Sequence, residues 1–396
     1  MKLACLVLAC LMVSSMLLVN LQNIQATQAT AENTWQTLQS LPEPLSGIAV
    51  TVDEKIYIFY GPNVFEYDPQ TQNLTQKTTM PTQRGGYGLA AVDYKIYTIG
   101  GQGGAAPTNI NEVYDTRTGT WETKQPAIDY SSELIANAVN GKIYAMYSGG
   151  RYDVSNMIST GSNIDVYDPE TDNWTRISAL PQEVSYPSYS CAIDDKIYII
   201  KDSTGDDYYT YTIGEGKLHI YDTTTDTWST GATLPTFYKL CRVVATAGER
   251  APKRIYLVGG EVIARSFGDF DCFNATFSYD PLSDCWSRAA DMSTARQSAA
   301  VAVVDDKIYA LGGKIQAYWL DPSQTGAVEV YTPFGYVTEQ PSASPSNSPE
   351  SPQQPALPEA TAVIVGAVIA GAVIAATAIL VYYHKRLKTA KQNKPN

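Results

Sequence analysis

Tyrosine, arginine and aspartate gather in three stretches of this chain, 146–161, 201–216 and 260–274. The first holds Tyr147, Arg151, Tyr152 and Asp153, and the second Asp202, Asp206, Asp207, Tyr208, Tyr209 and Tyr211. The third holds Arg265, Phe267, Asp269, Phe270 and Asp271. Rigid aromatic rings beside guanidinium and carboxylate groups suit recognition of a peptide or a glycan, and no catalytic residue is assigned. Neither Asp206-Asp207 nor Asp269-x-Asp271 has the Asp-x-Asp-x-Asp-Gly order of a calcium loop. Only two histidines occur, His219 and His384, so neither a transition-metal site nor any other cofactor is expected.

Six cysteines are present, of which Cys5 and Cys10 fall in an apolar leader. Cys191, Cys241, Cys272 and Cys285 allow three full pairings or remain thiols, and their spacing fits no Cys-x-x-Cys metal pattern. Gly100-Gly-Gln-Gly-Gly104 is not a dinucleotide fingerprint, because no helix follows it. Asn73-Leu-Thr, Asn173-Trp-Thr and Asn274-Ala-Thr are glycosylation sequons. Over 396 residues, 28 Lys and Arg stand against 40 Asp and Glu, a net charge of −12. Such a surface repels nucleic acid.

The two ends predict an address. Met1-Lys2, an uncharged apolar run from Leu3 to Val19 and Ala29-Thr-Ala31 make a secretory signal over 1–31. Residues 360–383 form a run of 24 without a charge, long enough at about 1.5 Å per residue to span a bilayer as a single helix. Lys385, Arg386, Lys388, Lys391 and Lys394 follow, which predicts a basic cytoplasmic tail over 384–396 and a single-pass type I orientation. Between them, 339–359 is rich in Pro and Ser and reads as an extended stalk.

Residues 32–338 are a repeat. Lys-Ile-Tyr recurs at 55–57, 95–97, 142–144, 196–198 and 307–309, with Arg254-Ile255-Tyr256 as a variant. Turn formers precede most copies, and a Gly pair follows most of them: Gly100-Gly101, Gly149-Gly150, Gly259-Gly260, Gly312-Gly313. Tyr-Asp comes next at 67–68, 114–115, 167–168, 221–222 and 279–280, then Trp121, Trp174, Trp228 or Trp286, with Leu74 in the first copy. Ile and Tyr point to opposite faces of a strand, and both are apolar, so each sheet is covered on both sides.

Turn, Lys-Ile-Tyr, diglycine, Tyr-Asp and Trp together resemble the kelch repeat. The resemblance implies an all-β propeller with one four-stranded blade per repeat, six blades in all with seven as the alternative. It also assigns Thr34-Trp35 as the outermost strand of the last blade, which otherwise lacks a Trp. In such blades the loop between second and third strands and the blade-to-blade connection open on one face. Arg84, Tyr130, Tyr186, Tyr238 and Arg296 would then join Arg151, Tyr152, Asp206, Asp207, Tyr208, Tyr209 and Arg265 around one funnel. The expected function is a membrane-tethered module binding an extracellular protein or glycan. The alternatives are an exported carbohydrate-active enzyme of sialic-acid epimerase or glycosidase type, and a structural envelope protein.

Overall fold

Each Lys-Ile-Tyr run becomes the second strand of a four-stranded antiparallel sheet, and six such sheets make up the fold. The computed structural model describes residues 31–338, except 105, 132–133, 148–150, 154–157, 161–162, 182–183, 185–186, 202–215, 236–239, 264–269 and 316–322. Blade one is Ile48–Val52, Lys55–Tyr60, Asn63–Asp68 and Asn73–Thr79; blade two is Gly88–Val92, Lys95–Ile99, Asn111–Asp115 and Thr120–Thr123. Blade three is Leu134–Val139, Lys142–Tyr147, Asn163–Asp168 and Asn173–Ala179; blade four is Pro187–Ile193, Lys196–Lys201, Leu218–Asp222 and Thr227–Gly231. Blade five is Arg242–Ala245, Ile255–Val258, Thr276–Asp280 and Cys285–Arg288; blade six is Ala300–Val304, Lys307–Leu311 and Val328–Thr332 with Thr34–Thr37. The first strands touch one another in sequence from blade one round to blade six and back, so they surround the axis.

Blade six shows why the count is six and not seven. Its outer strand, Thr34–Thr37, comes from the other end of the described chain and pairs antiparallel with Val328–Thr332, setting Trp35 opposite Tyr331. The same opposition recurs as Trp121 with Tyr114, Trp174 with Tyr167, Trp228 with Tyr221 and Trp286 with Tyr279, with Leu74 opposite Tyr67. Each indole lies about on its tyrosine, with ring centroids 5.3 Å apart for Trp35–Tyr331 and 5.0 Å for Trp174–Tyr167. Its N–H reaches back to the preceding blade: Trp121 donates to Thr78 Oγ1 at 3.1 Å, Trp174 to Gln125 O at 2.9 Å, and Trp35 to Ala290 O at 3.0 Å. One side chain therefore covers its own sheet and fastens it to the preceding one.

The Lys-Ile-Tyr tyrosine packs forward in the same way. Tyr57 meets Tyr114, Tyr97 meets Tyr167, Tyr144 meets Tyr221, Tyr198 meets Tyr279 and Tyr256 meets Tyr331, each pair bridging adjacent blades. Tyr309 of blade six shares a buried cluster with Tyr67 of blade one, which completes the ring. The motif's polar ends pair within the blade. Lys55 meets Asp68 at 2.9 Å and Lys142 meets Asp168 at 3.3 Å. The hydrogen bond from Lys55 is the main reason that Asp68 is held at about 2, below the ordinary carboxylate value.

Glycine is required where blades approach most closely. Gly312 and Gly313 have φ of +62° and +107°, a region costly for any residue with a Cβ. A Cβ on Gly312 would lie 2.1 Å from Leu45 O, and Gly313 N–H donates to that carbonyl. Gly101 N–H donates likewise to Ser131 O and Gly260 N–H to Arg296 O, so in these three pairs the second glycine is sewn to the chain entering the following blade.

Blade five departs from the pattern. Where the others have a two-residue turn, residues 246–254 form a loop, and Asp306 of blade six closes it. Its carboxylate accepts the N–H groups of Ala247, Glu249, Arg250 and Ala251 at 2.6–3.0 Å. All described residues belong to the unit Met1–Thr338. The expected signal lies outside them but for Ala31, and the stalk, membrane run and tail lie wholly outside. Among the described residues no helix is long and apolar enough to cross a membrane.

Candidate functional site

Second-to-third loops and blade-to-blade connections do share a face, but two of the arginines expected there point inward. Arg84 and Arg296 have fully buried side chains. Arg84 Nη1 lies 2.5 Å from Glu112 Oε2, and its other nitrogens donate to Gly100 O, Thr98 O and Thr98 Oγ1. Arg296 repeats this with Glu329, Gly312 O and Ala327 O. Burial pulls the Arg296 guanidinium below its ordinary value, and Glu329 opposes the shift. Both arginines tie the diglycine strand end to the third strand, so they are structural and not ligand-facing.

Tyr130 does reach the surface and is 42% exposed beside Ile128 at 43%. The intervening Asp129 is buried and held by Arg176, which also grips Asp165 at 2.9 Å. That clamp fixes the connection between blades two and three and turns its two apolar neighbours outward. Beyond the diglycines, short ribbons rise from the same face: Gln102–Gly103 with Ala106–Pro107, Arg151–Asp153 with Ile158–Thr160, and Glu261–Ile263 with Phe270–Cys272. Arg151 and Tyr152 lie in the second of these, opposite Thr160 and Ser159. Tyr186, Asp206, Asp207, Tyr208, Tyr209, Tyr238 and Arg265 fall outside the described residues.

The residue at the centre of this face was not singled out from the sequence. Strand pairing places Ile48, Gly88, Ile135, Tyr189, Arg242 and Ala300 at one level of the six innermost strands, each opposite the fourth residue after the motif's Lys or Arg. Five of the six are uncharged. Arg242, from blade five, donates to Gly47 O of blade one at 3.1 Å, and blade six lies between those two in the ring. Its guanidinium thus reaches across the mouth of the axis. Nη1 also donates to Cys241 O, while Nε is shut off from solvent with no acceptor. Burial pulls this guanidinium below its ordinary value, opposed only by Tyr189 and Cys241. Among the described residues no carboxylate neutralises it.

Leu240 stands beside it. It is 40% exposed with φ of +51°, where Gly86 and Ser298 occupy the equivalent places at +68° and +53°. A leucine there is strained by about 1–2 kcal/mol. Its N–H donates to the Tyr189 hydroxyl at 2.6 Å and its carbonyl accepts from Ser298 N–H at 3.0 Å. Ile315, 41% exposed, follows the diglycine of blade six on the same face. Among the described residues the mouth therefore combines exposed apolar side chains with a half-buried cation that no carboxylate pairs. Such a surface can seat an acidic group in a partly desolvated setting.

Two signals could have found Arg242: it is the charged member of an otherwise uncharged level, and it starts an innermost strand. The loop 246–254 hid it, because it displaces the usual count between innermost strand and motif. The sequons separate by face, with Asn73 and Asn173 exposed and Asn274 half-buried. Cys191 and Cys241 lie in one buried cluster, Cys272 is half-buried and Cys285 exposed. Among the described residues no three His, Cys, Asp or Glu side chains are grouped to hold a metal.

Residues 83–126, which make up blade two with its leading Arg84, match the model for the Kelch motif. The chain is 25% identical to Kelch-like protein 36 of Bos taurus over 324 residues, covering 79% of this chain and 48% of that protein. It is 29% identical to Kelch-like protein terF of Aspergillus terreus over 222 residues, covering 53% and 44%. The chain thus spans less than half the length of these curated relatives. The solved structure of YjhT superposes with a TM-score of 0.57 at 14% identity, covering 74% of this chain and 97% of that one, a likeness of fold.

Proposed function

Because the chain is a six-bladed kelch-repeat propeller, we propose that it is a recognition module that binds an acidic group of an extracellular protein or glycan at the mouth of its axis. The observation that carries this reading is Arg242, a half-buried guanidinium with no carboxylate beside it among the described residues, in a protein of net charge −12. Leaving a cation so placed is unfavourable in the free protein, and an incoming carboxylate offsets that cost. Tyr130, Ile128, Leu240 and Ile315 supply the apolar rim, and the strained backbone at Leu240 is of the kind found at binding sites. Export, stalk and anchor rest on the apolar run 3–19, the Pro/Ser segment 339–359 and the apolar run 360–383.

The test uses the full-length chain in detergent micelles on peptide and glycan arrays. Binding is expected to favour ligands bearing a carboxylate. Arg242→Gln should weaken it by about 2–5 kcal/mol, about thirtyfold or more, with thermal unfolding unchanged. Undiminished binding by Arg242→Gln, or hits confined to neutral ligands, overturns the reading.

A further inference from the structure

We infer that Asn73 and Asn173 carry N-linked glycans and that the third sequon, Asn274-Ala-Thr276, stays bare because its asparagine is part of the fold. Asn73 and Asn173 occupy one structural position in two blades. Each opens an outer strand, opposite Asp68 and Asp168 respectively. In both strands the asparagine and the threonine two residues on are exposed while the residue between them, Leu74 or Trp174, turns inward. The strand's two-residue period thus presents amide and hydroxyl side by side to water. Asn173 Nδ2 makes one bond, to Thr171 O of its own turn at 3.1 Å, leaving a second N–H.

Asn274 is placed quite differently. Its Nδ2 donates to Met292 O at 2.9 Å, and Met292 N–H returns a bond to Asn274 O at 2.8 Å. Blade two has the same reciprocal pair, between Asn109 and Ala127, at 3.0 and 2.8 Å. Asn109 lies in no sequon, so the asparagine at this position serves the blade-to-blade connection. Thr276, the hydroxyl residue of the third sequon, is wholly buried and accepts the Trp35 indole N–H at 3.1 Å. A sugar on Asn274 would have to displace the connection that carries Met292, itself 1% exposed.

The transfer needs a lipid-diphosphate-linked oligosaccharide as co-reactant. The asparagine Nδ2 attacks the anomeric carbon, the N–C bond forms as the C–O bond to phosphate breaks, the lipid diphosphate leaves, and one amide proton is released to base. Both glycans would stand on turns of the face opposite Arg242, leaving the mouth open. This inference rests on the proposed export of the chain and not on what the mouth binds.

The full chain is expressed in secretory eukaryotic cells, treated with peptide-N-glycosidase and mapped by peptide mass spectrometry. The expected result is a two-step mobility change, with Asn-to-Asp conversion at 73 and 173 alone. Asn73→Gln and Asn173→Gln should each remove one step, and Asn274→Gln none. A glycan on Asn274, or no mobility change, overturns the inference.

Discussion

Arg84 and Glu112 show what a buried ion pair contributes inside a blade. Glu112 is 3% exposed and also accepts the Thr82 hydroxyl at 2.7 Å, so the pair is both desolvated and well bonded. Arg84→Met strands an uncompensated carboxylate and is expected to cost about 3–5 kcal/mol. The double change Arg84→Met with Glu112→Leu should cost clearly less, and urea unfolding of both variants measures the difference. The leading arginine comes with an acid at this level: blades two and six have Glu112 and Glu329 on the third strand, blades one and five have Phe65 and Phe277, and blade three has Asp165, which pairs with Arg176 of its own fourth strand instead. That covariation was legible in the repeat. The inward direction of Arg84 and Arg296 was not, because it depends on which face of the connection meets the diglycine carbonyl.

At the scale of the element, the strand Thr34–Thr37 carries a disproportionate duty. Asn33, with φ of +52°, accepts the Tyr331 hydroxyl and Ala290 N–H at 2.8 and 2.9 Å. Asp284 does the same at blade five for Tyr279 and Ala232, and the Tyr279 hydroxyl is the main cause of that carboxyl lying below its usual range. The N-terminal strand thus reproduces these contacts of an ordinary outer strand, although it is separated in sequence from the rest of its sheet. Trp35→Ala removes the indole that spans blades five and six and should cost about 3 kcal/mol. Thermal unfolding checks this; an unchanged midpoint would mean that the strand does not lock the ring.

Across the whole molecule, buried tyrosines meeting edge to face or tilted join one blade to the next. Burial pushes Tyr67, Tyr97, Tyr198 and Tyr331 up to about 12 from an ordinary value of 10.0. The folded state therefore holds phenolic protons that the unfolded chain releases near pH 10, so this contribution is intact below about pH 10 and declines as pH rises towards 12. Urea midpoints should fall across that interval, and tyrosinate absorbance in the folded protein should lag that of the unfolded chain. Coincident titration of the two would contradict the buried arrangement. The repetition that makes these ring pairs also made the architecture readable, since one pattern supplied six times reports the same two-sided burial each time.

The repeat unit and its two-sided burial came from residues alone, because hydrophobic period, turn chemistry and glycine placement are local and recur at most copies; the four-stranded blade, the count of six and the role of Thr34-Trp35 came from the resemblance to the kelch repeat. The three-dimensional arrangement decided which of the arginines are neutralised by a neighbouring acid. Arg84 and Arg296 were drawn into buried pairs with acids of the third strand, whereas Arg242 was left at the axis, held to Gly47 from the far side of blade six. A charge is neutralised or left available according to what stands within a few ångströms of it, and in a closed ring those neighbours come from other blades, about two hundred residues away in the case of Gly47.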